Sequence, residues 1–582
     1  MKWKRTEAQN AARQFRLRGL WVLGAIGAVA VGILVRAIDL QVLRHNFLAE
    51  QGAERFMRTA KIPAHRGAIL DRFGEPLAVS TPVDTVWANP SELAAAPDQL
   101  PRLAKALGRD RDWLVRRVTT NEESQYLVLA KQLQPDEAAR IKALGIPGVY
   151  LQREYRRFYP AGEVTGHLLG FTGAEDQGQE GLELAYEQKL AGEDGLKRVI
   201  QDRMGRVVEN VDSIRAPRPG EELVTSIDLR IQDLAYRELK SAIREFQAAS
   251  GSLMVVDVRT GEVLAMVNQP AFNPNDRTQL EVPRYRNRAA TDILEPGSSV
   301  KPFVIAAALA SGKFKANSFV DTNPGFIKVG TKVIEDPHNW GTIDLATILA
   351  KSSNVGMTHI ALSLDKAAIW DTFNSLGFGQ VSASGFPGES AGLLTHYSHW
   401  RDLSVATLAY GYGISVTPLQ LAQAYTTLAA WGVRRPLSFR RLETPPAGER
   451  VLDPQVARDV IHLIEHVVTA DGTAPLAAIH GYRVAGKTGT AFKSTAGGYS
   501  SDKYMAVFAG IVPASAPRLA AVVVIDEPMG SVHHGGDVSA PVFAAVMSGA
   551  LRLLAIPPDD LTGVSSATLV QAITPLPGGR AR

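Results

Sequence analysis

No cysteine occurs anywhere in the 582 residues of this sequence. Its absence excludes disulfide bridges, thiol catalysis and thiolate metal sites. A chain without thiols also cannot mispair them in an oxidising compartment, so the composition is compatible with export. A chain of this length is too long for one hydrophobic core, which predicts two or more folded domains.

Outside the N-terminus, positive and negative side chains nearly cancel. The net charge is +4, yet residues 1–18 alone hold six Lys and Arg residues against one Glu. Since that segment accounts for +5, the remaining chain is close to −1. This balance gives no electrostatic basis for nucleic-acid binding, and none is expected.

An uncharged apolar run follows the basic segment directly, at residues 19–35. A helix of this length reaches about 25 Å, slightly less than the hydrocarbon core of a bilayer at about 30 Å. Pairing of Arg36 with Asp39, three residues on, would extend the span. Arg36 also stands where a signal peptide would need small residues. We therefore expect an uncleaved anchor over residues 19–40, with residues 1–18 in the cytoplasm and the rest exported.

The part of the chain after the anchor shows no internal repeat, and its predicted secondary structure changes along its length. Residues 41–60 are predicted to continue the helix, and residues 41–220 as a whole form an irregular α+β domain without an evident nucleophile. Residues 221–557 have strand patterns at both ends, including 504–512 and 519–525, with helices between them. This order predicts one antiparallel sheet flanked by helices, so the fold class is α+β. Residues 558–582 are predicted to be a flexible tail.

Three Ser-x-x-Lys tetrads occur, beginning at Ser298, Ser363 and Ser500. Only the first follows a Pro-Gly turn and opens a predicted helix, over residues 298–310, where the helix dipole favours a developing alkoxide. Lys301, one turn further, can take the serine proton if its pKa is lowered. Taken alone, each tetrad is equally compatible with a helix cap beside a solvated lysine.

A second motif, Ser352-Ser353-Asn354, follows the first tetrad in the order found in class A β-lactamases and penicillin-binding proteins, although those have Asp in its middle. The Ser352 hydroxyl can relay a proton between Ser298, a lysine and the leaving amine. The Asn354 side chain can hold the amide group of a substrate.

The third motif contains the only Lys-Thr-Gly in the chain, Lys487-Thr488-Gly489. Lys487 supplies positive charge for a substrate carboxylate, to which the hydroxyls of Thr488 and Thr490 can donate. Gly489 leaves a strand edge open, so that an extended peptide can lie alongside. The backbone N–H groups of Ser298 and Thr490 would then form an oxyanion hole.

Together with these motifs, longer blocks make residues from the anchor to about 556 resemble a class B penicillin-binding protein of the septal, cell-division (penicillin-binding protein 3) type. The blocks are Arg66–Ala78, Arg157–Gly162, Asp202–Arg206, Glu295–Ser298, Gly411–Gly413, Val416–Ala422 and Val538–Phe543. The first three resemble the non-catalytic pedestal (dimerisation-like) domain of that family, here residues 41–220. The others match its penicillin-binding, β-lactamase-like transpeptidase domain, here residues 221–557.

The resemblance implies a serine D,D-transpeptidase that makes peptidoglycan during septum formation. Such an enzyme forms an acyl-enzyme on stem peptides ending in D-Ala-D-Ala, releases D-Ala and transfers the acyl group to a neighbouring stem. It is acylated by β-lactam antibiotics and uses no cofactor and no metal. It is a single-pass protein of the bacterial inner membrane with its bulk in the periplasm. Its partners are a polytopic glycosyltransferase that polymerises lipid II and other division proteins.

Three segments depart from the family pattern. Phe492 replaces a common basic residue, His533-His534 replaces an aromatic pair, and Asp336–Trp340 lacks the usual basic and polar residues. The resemblance places five residues at the rim of the substrate cleft: Tyr412, Phe492, Tyr504, His533 and His534. These departures leave β-lactam selectivity open, as well as the choice between the main septal enzyme and a condition-specific paralogue.

Two other classes of protein share the acylation chemistry. A β-lactamase or D,D-carboxypeptidase uses water as the acceptor, but an anchor with a pedestal is hard to explain for a simple hydrolase. A β-lactam sensor needs a cytoplasmic effector, which 18 residues cannot form. Metal binding by His533 and His534 is not favoured either, because no third ligand stands at a useful spacing.

Overall fold

The computed structural model describes residues 3–44, 57–122, 124, 126–173, 175–201, 207–276, 278, 281–495, 498–530 and 532–560. Two compact units interleave along the chain. The first takes its residues from Met1–Ala64, Pro82–Glu154 and Glu193–Arg218, and the second from His65–Thr81, Tyr155–Gly192 and Pro219–Arg582. The boundary predicted between residues 220 and 221 separates a pedestal from a transpeptidase domain. It stays a prediction.

The strands are, in chain order, β1 (Met57–Ile62), β2 (Ile69–Leu70), β3 (Pro76–Ala88), β4 (Leu127–Leu133), β5 (Val149–Phe158), β6 (Gly195–Gln201), β7 (Val207–Arg215), β8 (Leu223–Val224), β9 (Ser250–Asp257), β10 (Val263–Gln269), β11 (Phe319–Asp321), β12 (Phe326–Val329), β13 (Lys332–Glu335), β14 (Thr342–Asp344), β15 (Val433–Arg434), β16 (Glu449–Arg450), β17 (Ala485–Thr495), β18 (Gly498–Val512) and β19 (Leu519–Asp526).

The α-helices are α1 (Trp3–Ile38), α2 (Pro90–Ala94), α3 (Leu100–Ala106), α4 (Arg111–Thr120), α5 (Pro135–Lys142), α6 (Gly166–Leu169), α7 (Gly181–Ala185), α8 (Glu187–Leu190), α9 (Leu229–Glu245), α10 (Val282–Tyr285), α11 (Arg288–Thr291), α12 (Lys301–Ala310), α13 (Leu345–Ala350), α14 (Asn354–Ser363), α15 (Lys366–Ser375), α16 (Asp402–Leu408), α17 (Pro418–Ala429), α18 (Pro454–Glu465), α19 (Gly535–Val538) and α20 (Ala540–Leu553).

The first unit begins with the apolar helix. Its segment Leu17–Gln41 is long and apolar enough to cross a membrane. The predicted pairing of Arg36 with Asp39 is confirmed, with their nitrogen and oxygen 2.8 Å apart. The predicted helix over residues 41–60 is wrong at its end, because β1 begins at Met57 and pairs antiparallel with β6. Residues 45–56 of that prediction lie outside the described residues.

The rest of this unit contains two small sheets. One has the antiparallel order β1-β6-β7. In the other, residues 84–88 of β3 pair with β4. A separate apolar core of this unit includes Leu93, Leu103 and Leu114, which are fully buried on helices α2, α3 and α4.

The second unit is built on a five-stranded antiparallel sheet with the order β10-β9-β19-β18-β17. The predicted sheet with strands from both ends of the segment is therefore confirmed, since β9 pairs with β19. Every residue of β9 and β10 is buried, so helices cover both faces of this sheet. Helix α9 packs on β10 and on α20, whereas α17 packs on β9 and β19.

Local sequence explains where the main helices of this unit begin. At α17, the Thr417 side chain accepts a hydrogen bond from the Gln420 N–H and the Gln420 side chain accepts one from the Thr417 N–H, with Pro418 at the first helical position. At α9, the Asp228 side chain accepts from the Arg230 N–H. Such caps satisfy N–H groups that the helix itself leaves unpaired.

A buried ion cluster joins two of the sequence blocks that resemble the pedestal. The Glu183 carboxylate is fully buried and accepts from Nε of Arg66 at 2.7 Å and from Nε of Arg157 at 2.6 Å. The second guanidinium also donates to the Gly67 carbonyl at 2.8 Å. Glu183 is therefore the one carboxylate of the cluster that pairs with both buried guanidinium groups.

We expect Glu183→Gln to destabilise the protein by about 3–5 kcal/mol, because it leaves buried positive charge uncompensated. Chemical unfolding followed by tryptophan fluorescence measures this loss. The matched control is Glu187→Gln, since Glu187 is part-exposed and contacts only Arg66 of the pair, at 2.7 Å. It is expected to cost about 1 kcal/mol or less. Equal losses for both variants would contradict the assignment.

Candidate active site

The first tetrad lies on a tight turn rather than on an α-helix. Residues Gly297–Val300 form a 3₁₀ turn, and α12 begins only at Lys301. The predicted helix over 298–310 therefore starts three residues later, because Pro302 has no N–H to donate to an earlier carbonyl. Ser298 is half-buried on this turn. The tetrad still places serine and lysine on consecutive elements.

Close backbone packing fixes this turn in place. Gly297 has a φ of +54°, a conformation that favours glycine, and its N–H donates to the Gly411 carbonyl at 3.3 Å. A Cβ on Gly411 would lie 2.0 Å from the Gly297 oxygen, so only glycine fits there. Behind the turn, the buried Tyr425 hydroxyl donates to the Ser299 carbonyl at 2.7 Å.

Lys301 joins the first motif to the second. Its side chain is fully buried, and Nζ lies within hydrogen-bond distance of Ser352 O (2.6 Å), Ser352 Oγ (3.1 Å) and Asn354 Oδ1 (2.8 Å). Burial, reinforced by the positive charge of Lys487, lowers the pKa of Lys301 well below its ordinary value, although the charge of Asp336 opposes this. An amine with so low a pKa can accept a proton.

In the second motif the backbone of Ser352 is strained, and Asp336 forms hydrogen bonds with the two residues that follow it. Ser352 has a φ of +56°, a left-handed conformation that costs a non-glycine residue about 1–3 kcal/mol. Asp336 accepts hydrogen bonds from the Ser353 hydroxyl and from the Asn354 N–H at 2.6 Å. Its carboxylate thus caps the start of α14, next to the Asn354 side chain. The sequence offered no sign of this role, because Asp336 lies 17 residues before the serine that it contacts.

The third motif lies on β17, which is the last strand in the sheet order. Lys487 is fully buried, and its Nζ donates to Thr488 Oγ1 at 3.1 Å. Burial lowers the pKa of Lys487 to about 7. The Thr488 hydroxyl is also 3.1 Å from the Thr473 hydroxyl. Thr473 was not predicted, because nothing in its local sequence connects it to the motif.

Gly489 and Thr490 bring this strand against the nucleophile turn. A Cβ on Gly489 would lie 2.5 Å from the Pro296 carbonyl oxygen, so the absent side chain allows strand and turn to approach closely. A Cβ on Gly297 would be 3.4 Å from the Thr490 nitrogen. The Thr490 hydroxyl accepts from the Gly535 N–H at 3.1 Å. The two residues predicted to supply oxyanion N–H groups, Ser298 and Thr490, therefore lie on adjoining segments.

The five predicted rim residues lie in one row. The Phe492 N–H donates to the Tyr412 hydroxyl at 3.2 Å, and the rings of Phe492 and Tyr504 are 5.1 Å apart. His533 stacks on Tyr504 at 3.9 Å, and the His534 ring is 4.5 Å from that of His533. Burial, with a contribution from His534, lowers the pKa of His533. At neutral pH it therefore extends the aromatic row as an uncharged ring.

The other two tetrads are held by unrelated contacts. The Ser363 hydroxyl donates to the Ile360 carbonyl at 2.6 Å, and Lys366 donates to the Trp400 carbonyl at 3.1 Å. The Ser500 hydroxyl donates to the Asp502 carboxylate at 2.6 Å, and Lys503 pairs with Glu527 at 2.9 Å. Both of these lysines are partly exposed, whereas Lys301 is fully buried.

Known proteins resemble this chain over most of its length. Residues 251–548 match the family described as the penicillin binding protein transpeptidase domain, and residues 61–225 match the penicillin-binding protein dimerisation domain. The chain is 43% identical over 544 residues to the peptidoglycan D,D-transpeptidase FtsI of Escherichia coli, covering 93% of this chain and 92% of that protein.

Solved structures are similar as well. The transpeptidase domain of Burkholderia pseudomallei penicillin-binding protein 3 is 41% identical, with a TM-score of 0.54 over 58% of this chain and 97% of that one. Penicillin-binding protein 3 of Mycobacterium tuberculosis, solved with aztreonam, is 26% identical, with a TM-score of 0.67 over 86% of this chain and 98% of that one. The chain therefore belongs to the penicillin-binding proteins, and within them to the septal class B peptidoglycan D,D-transpeptidases.

Proposed function

We propose that the chain cross-links peptidoglycan stem peptides during septal wall synthesis, with Ser298 as the nucleophile. The observation that carries this proposal is the buried Lys301 amine, which contacts both Ser352 and Asn354. A lysine with a lowered pKa, three residues after a serine on a tight turn, is suited to act as a general base.

Acylation begins when the neutral Lys301 amine takes the Ser298 proton. Oγ then attacks the carbonyl carbon of the penultimate D-Ala, and the N–H groups of Ser298 and Thr490 stabilise the oxyanion. As the tetrahedral intermediate collapses, the C–N bond breaks and D-Ala leaves. Its nitrogen receives a proton from Lys301 through the Ser352 hydroxyl, so the lysine is neutral again. A β-lactam enters the same sequence, but its cleaved amide stays attached.

Lys487 and the hydroxyls of Thr488 and Thr490 bind the carboxylate of the donor peptide or of the β-lactam. With a pKa of about 7, Lys487 is partly neutral in the free protein at neutral pH. A bound carboxylate favours its charged form, so binding restores the proton that burial disfavours. The site therefore avoids holding two charged buried lysines when no substrate is present.

Deacylation distinguishes a transpeptidase from a hydrolase. In the transpeptidase the amine of a second stem attacks the ester, whereas in a β-lactamase or carboxypeptidase water does so. The Escherichia coli relative that matches over 93% of this chain is named a D,D-transpeptidase, which favours amine transfer over hydrolysis or sensing.

The same proposal places the protein in the bacterial inner membrane. Residues 19–40 are the anchor, residues 1–18 are cytoplasmic and the bulk is periplasmic, because the positive charge precedes the apolar run. Residues 41–220 serve as a pedestal and residues 221–557 as the transpeptidase domain. Residues 558–582 are a flexible tail, of which 561–582 lie outside the described residues. A polytopic lipid II glycosyltransferase and other division proteins are the proposed partners.

Mapping a covalent penicillin adduct tests the function directly. After labelling and proteolysis, mass spectrometry is expected to place the adduct on the peptide that contains Ser298. The labelled protein is also expected to remain acylated through gel filtration, since water is a poor acceptor in a transpeptidase. An adduct on another serine would overturn the nucleophile, and rapid release of penicilloate would favour the hydrolase.

A further inference from the structure

The two carboxylate oxygens of Glu295, three residues before Ser298, have different surroundings. Oε1 accepts from the Gly413 N–H at 2.8 Å and from the Tyr499 hydroxyl at 3.0 Å. Oε2 is buried and has no hydrogen-bond partner among the residues that the structure describes. A buried carboxylate oxygen without a partner costs free energy. The proposed acylation steps do not involve the Glu295 carboxylate.

A row of tyrosine rings begins at this carboxylate, with Tyr499, which donates to it. The rings of Tyr412 and Tyr499 are 5.4 Å apart and nearly perpendicular, and those of Tyr410 and Tyr412 are 5.8 Å apart. Tyr499 is 54% exposed and Tyr412 is half-buried, so ring surface is open to a ligand. Tyrosine faces attract cations, and aromatic groups around a negative charge are a recurrent way of binding ammonium ions.

The two tyrosines next to Glu295 stay uncharged. Partial burial and the hydrogen bond to Glu295 raise the pKa of Tyr499, and burial raises that of Tyr412, so both phenols remain protonated. Within the described ranges, no lysine or arginine forms an ion pair with Glu295. The Tyr412 hydroxyl is itself held by the Phe492 N–H at 3.2 Å. Glu295 is therefore a carboxylate that hydrogen bonds hold in place and that lacks a cationic partner among the residues described.

We infer that Glu295, with Tyr412 and Tyr499, binds the primary ammonium group of the acceptor stem peptide. The inference rests on the proposed function, because only transfer to an amine requires such an acceptor. The donor peptide brings a carboxylate to Lys487, whereas the acceptor brings a cation to Glu295. The site thus distinguishes the two peptides by the sign of their charge.

The ammonium must lose protons before transfer is complete. Once it has released one proton to solvent, the neutral nitrogen attacks the ester carbonyl carbon on Ser298. The N–C bond forms, the bond between that carbon and Oγ breaks, and a second proton passes from nitrogen to Oγ. Glu295 is thus a binding residue that raises the local concentration of the amine.

The test compares two acceptors on the acyl-enzyme formed from a thioester analogue of the stem peptide. D-Alanine is an ammonium ion at neutral pH, whereas hydroxylamine is mostly neutral. Glu295→Gln keeps the acceptor for Gly413 and Tyr499 but removes the charge. We expect the KM for D-alanine to rise about tenfold, the loss of one charge-assisted contact. Transfer to hydroxylamine should change by less than about twofold.

Penicillin acylation reports on Ser298 separately, because it uses no acceptor. If acylation proceeds and both acceptors are used as in the unaltered protein, the ammonium site is overturned while the proposed function stands. Equal losses with both acceptors would also overturn it, since they indicate a displaced nucleophile turn. Tyr499→Phe, which removes one donor to Oε1, is expected to raise the same KM by less than Glu295→Gln does. Glu245→Gln, an exposed change on α9, is the matched control.

Discussion

Replacing Lys301 by methionine is expected to lower the second-order rate of acylation by penicillin by about 10³-fold. The change removes the buried amine proposed as the general base for Ser298, and such groups contribute about 10²- to 10⁴-fold. The buried side-chain volume is nearly kept, so the fold is retained. Stopped-flow labelling with a fluorescent penicillin measures the rate.

The pH profile provides a second measure of the same role. The unaltered protein should acylate faster as pH rises through the lowered pKa of Lys301, because only the neutral amine accepts a proton. The methionine variant should show no such rise. Lys366→Met, in the second tetrad, is the matched control and should acylate normally, whereas Ser298→Ala sets the zero of the assay. A full rate with Lys301→Met would refute the assignment.

Replacing Asp336 by alanine is expected to lower the acylation rate by about 10²-fold, although Asp336 contacts neither Ser298 nor Lys301 by hydrogen bond. Without its carboxylate, the Ser353 hydroxyl and the N–H groups of Asn354 and Val355 lose an acceptor. The strained Ser352 backbone can then relax. The Asn354 side chain then moves away from the Lys301 amine, with which it forms a hydrogen bond. A displacement of about 1 Å in a catalytic group can cost that much.

Asp336→Asn separates positioning from simple stability. The amide keeps an acceptor for the backbone N–H groups, so most of the rate should return. It also removes a negative charge that raises the pKa of Lys301, so the rise of acylation with pH should move to lower pH. A variant that only loosened the fold would leave the position of that rise unchanged. An unshifted profile with a normal rate in both variants would exclude a positioning role.

The three motifs of the candidate site could be picked out from the sequence because each is short and chemically distinctive. Ser298 and Lys301 are separated by three residues, so any turn or helix brings them together. The contact of Lys301 with Asn354 spans 53 positions and is a tertiary contact, which followed here from the resemblance rather than from local pattern. The 3₁₀ turn around Ser298 was missed, because the apolar period of residues 303–310 does not show where Pro302 interrupts the hydrogen bonds.

Asp336, Thr473 and Glu295 show what sequence could not provide. Each is an ordinary polar residue in a loop or turn. Each also contacts a group that lies many positions away along the chain. Whether a carboxylate caps a helix or faces a cleft depends on which segments the fold brings beside it. The segment around Asp336 was even counted as a departure from the family pattern, although its first residue orders the second motif.

The pairing of β9 with β19 also has a consequence for biosynthesis. These central strands are neighbours in the sheet, yet Val255 and Ala521 are 266 positions apart in sequence. Contacts of such separation form late and slowly in folding, because a long loop must close first. The transpeptidase sheet thus cannot be completed until the ribosome has made its last strand, β19. Until then β9 can pair with β10 but its other edge stays open, and an open apolar edge promotes aggregation of the nascent chain.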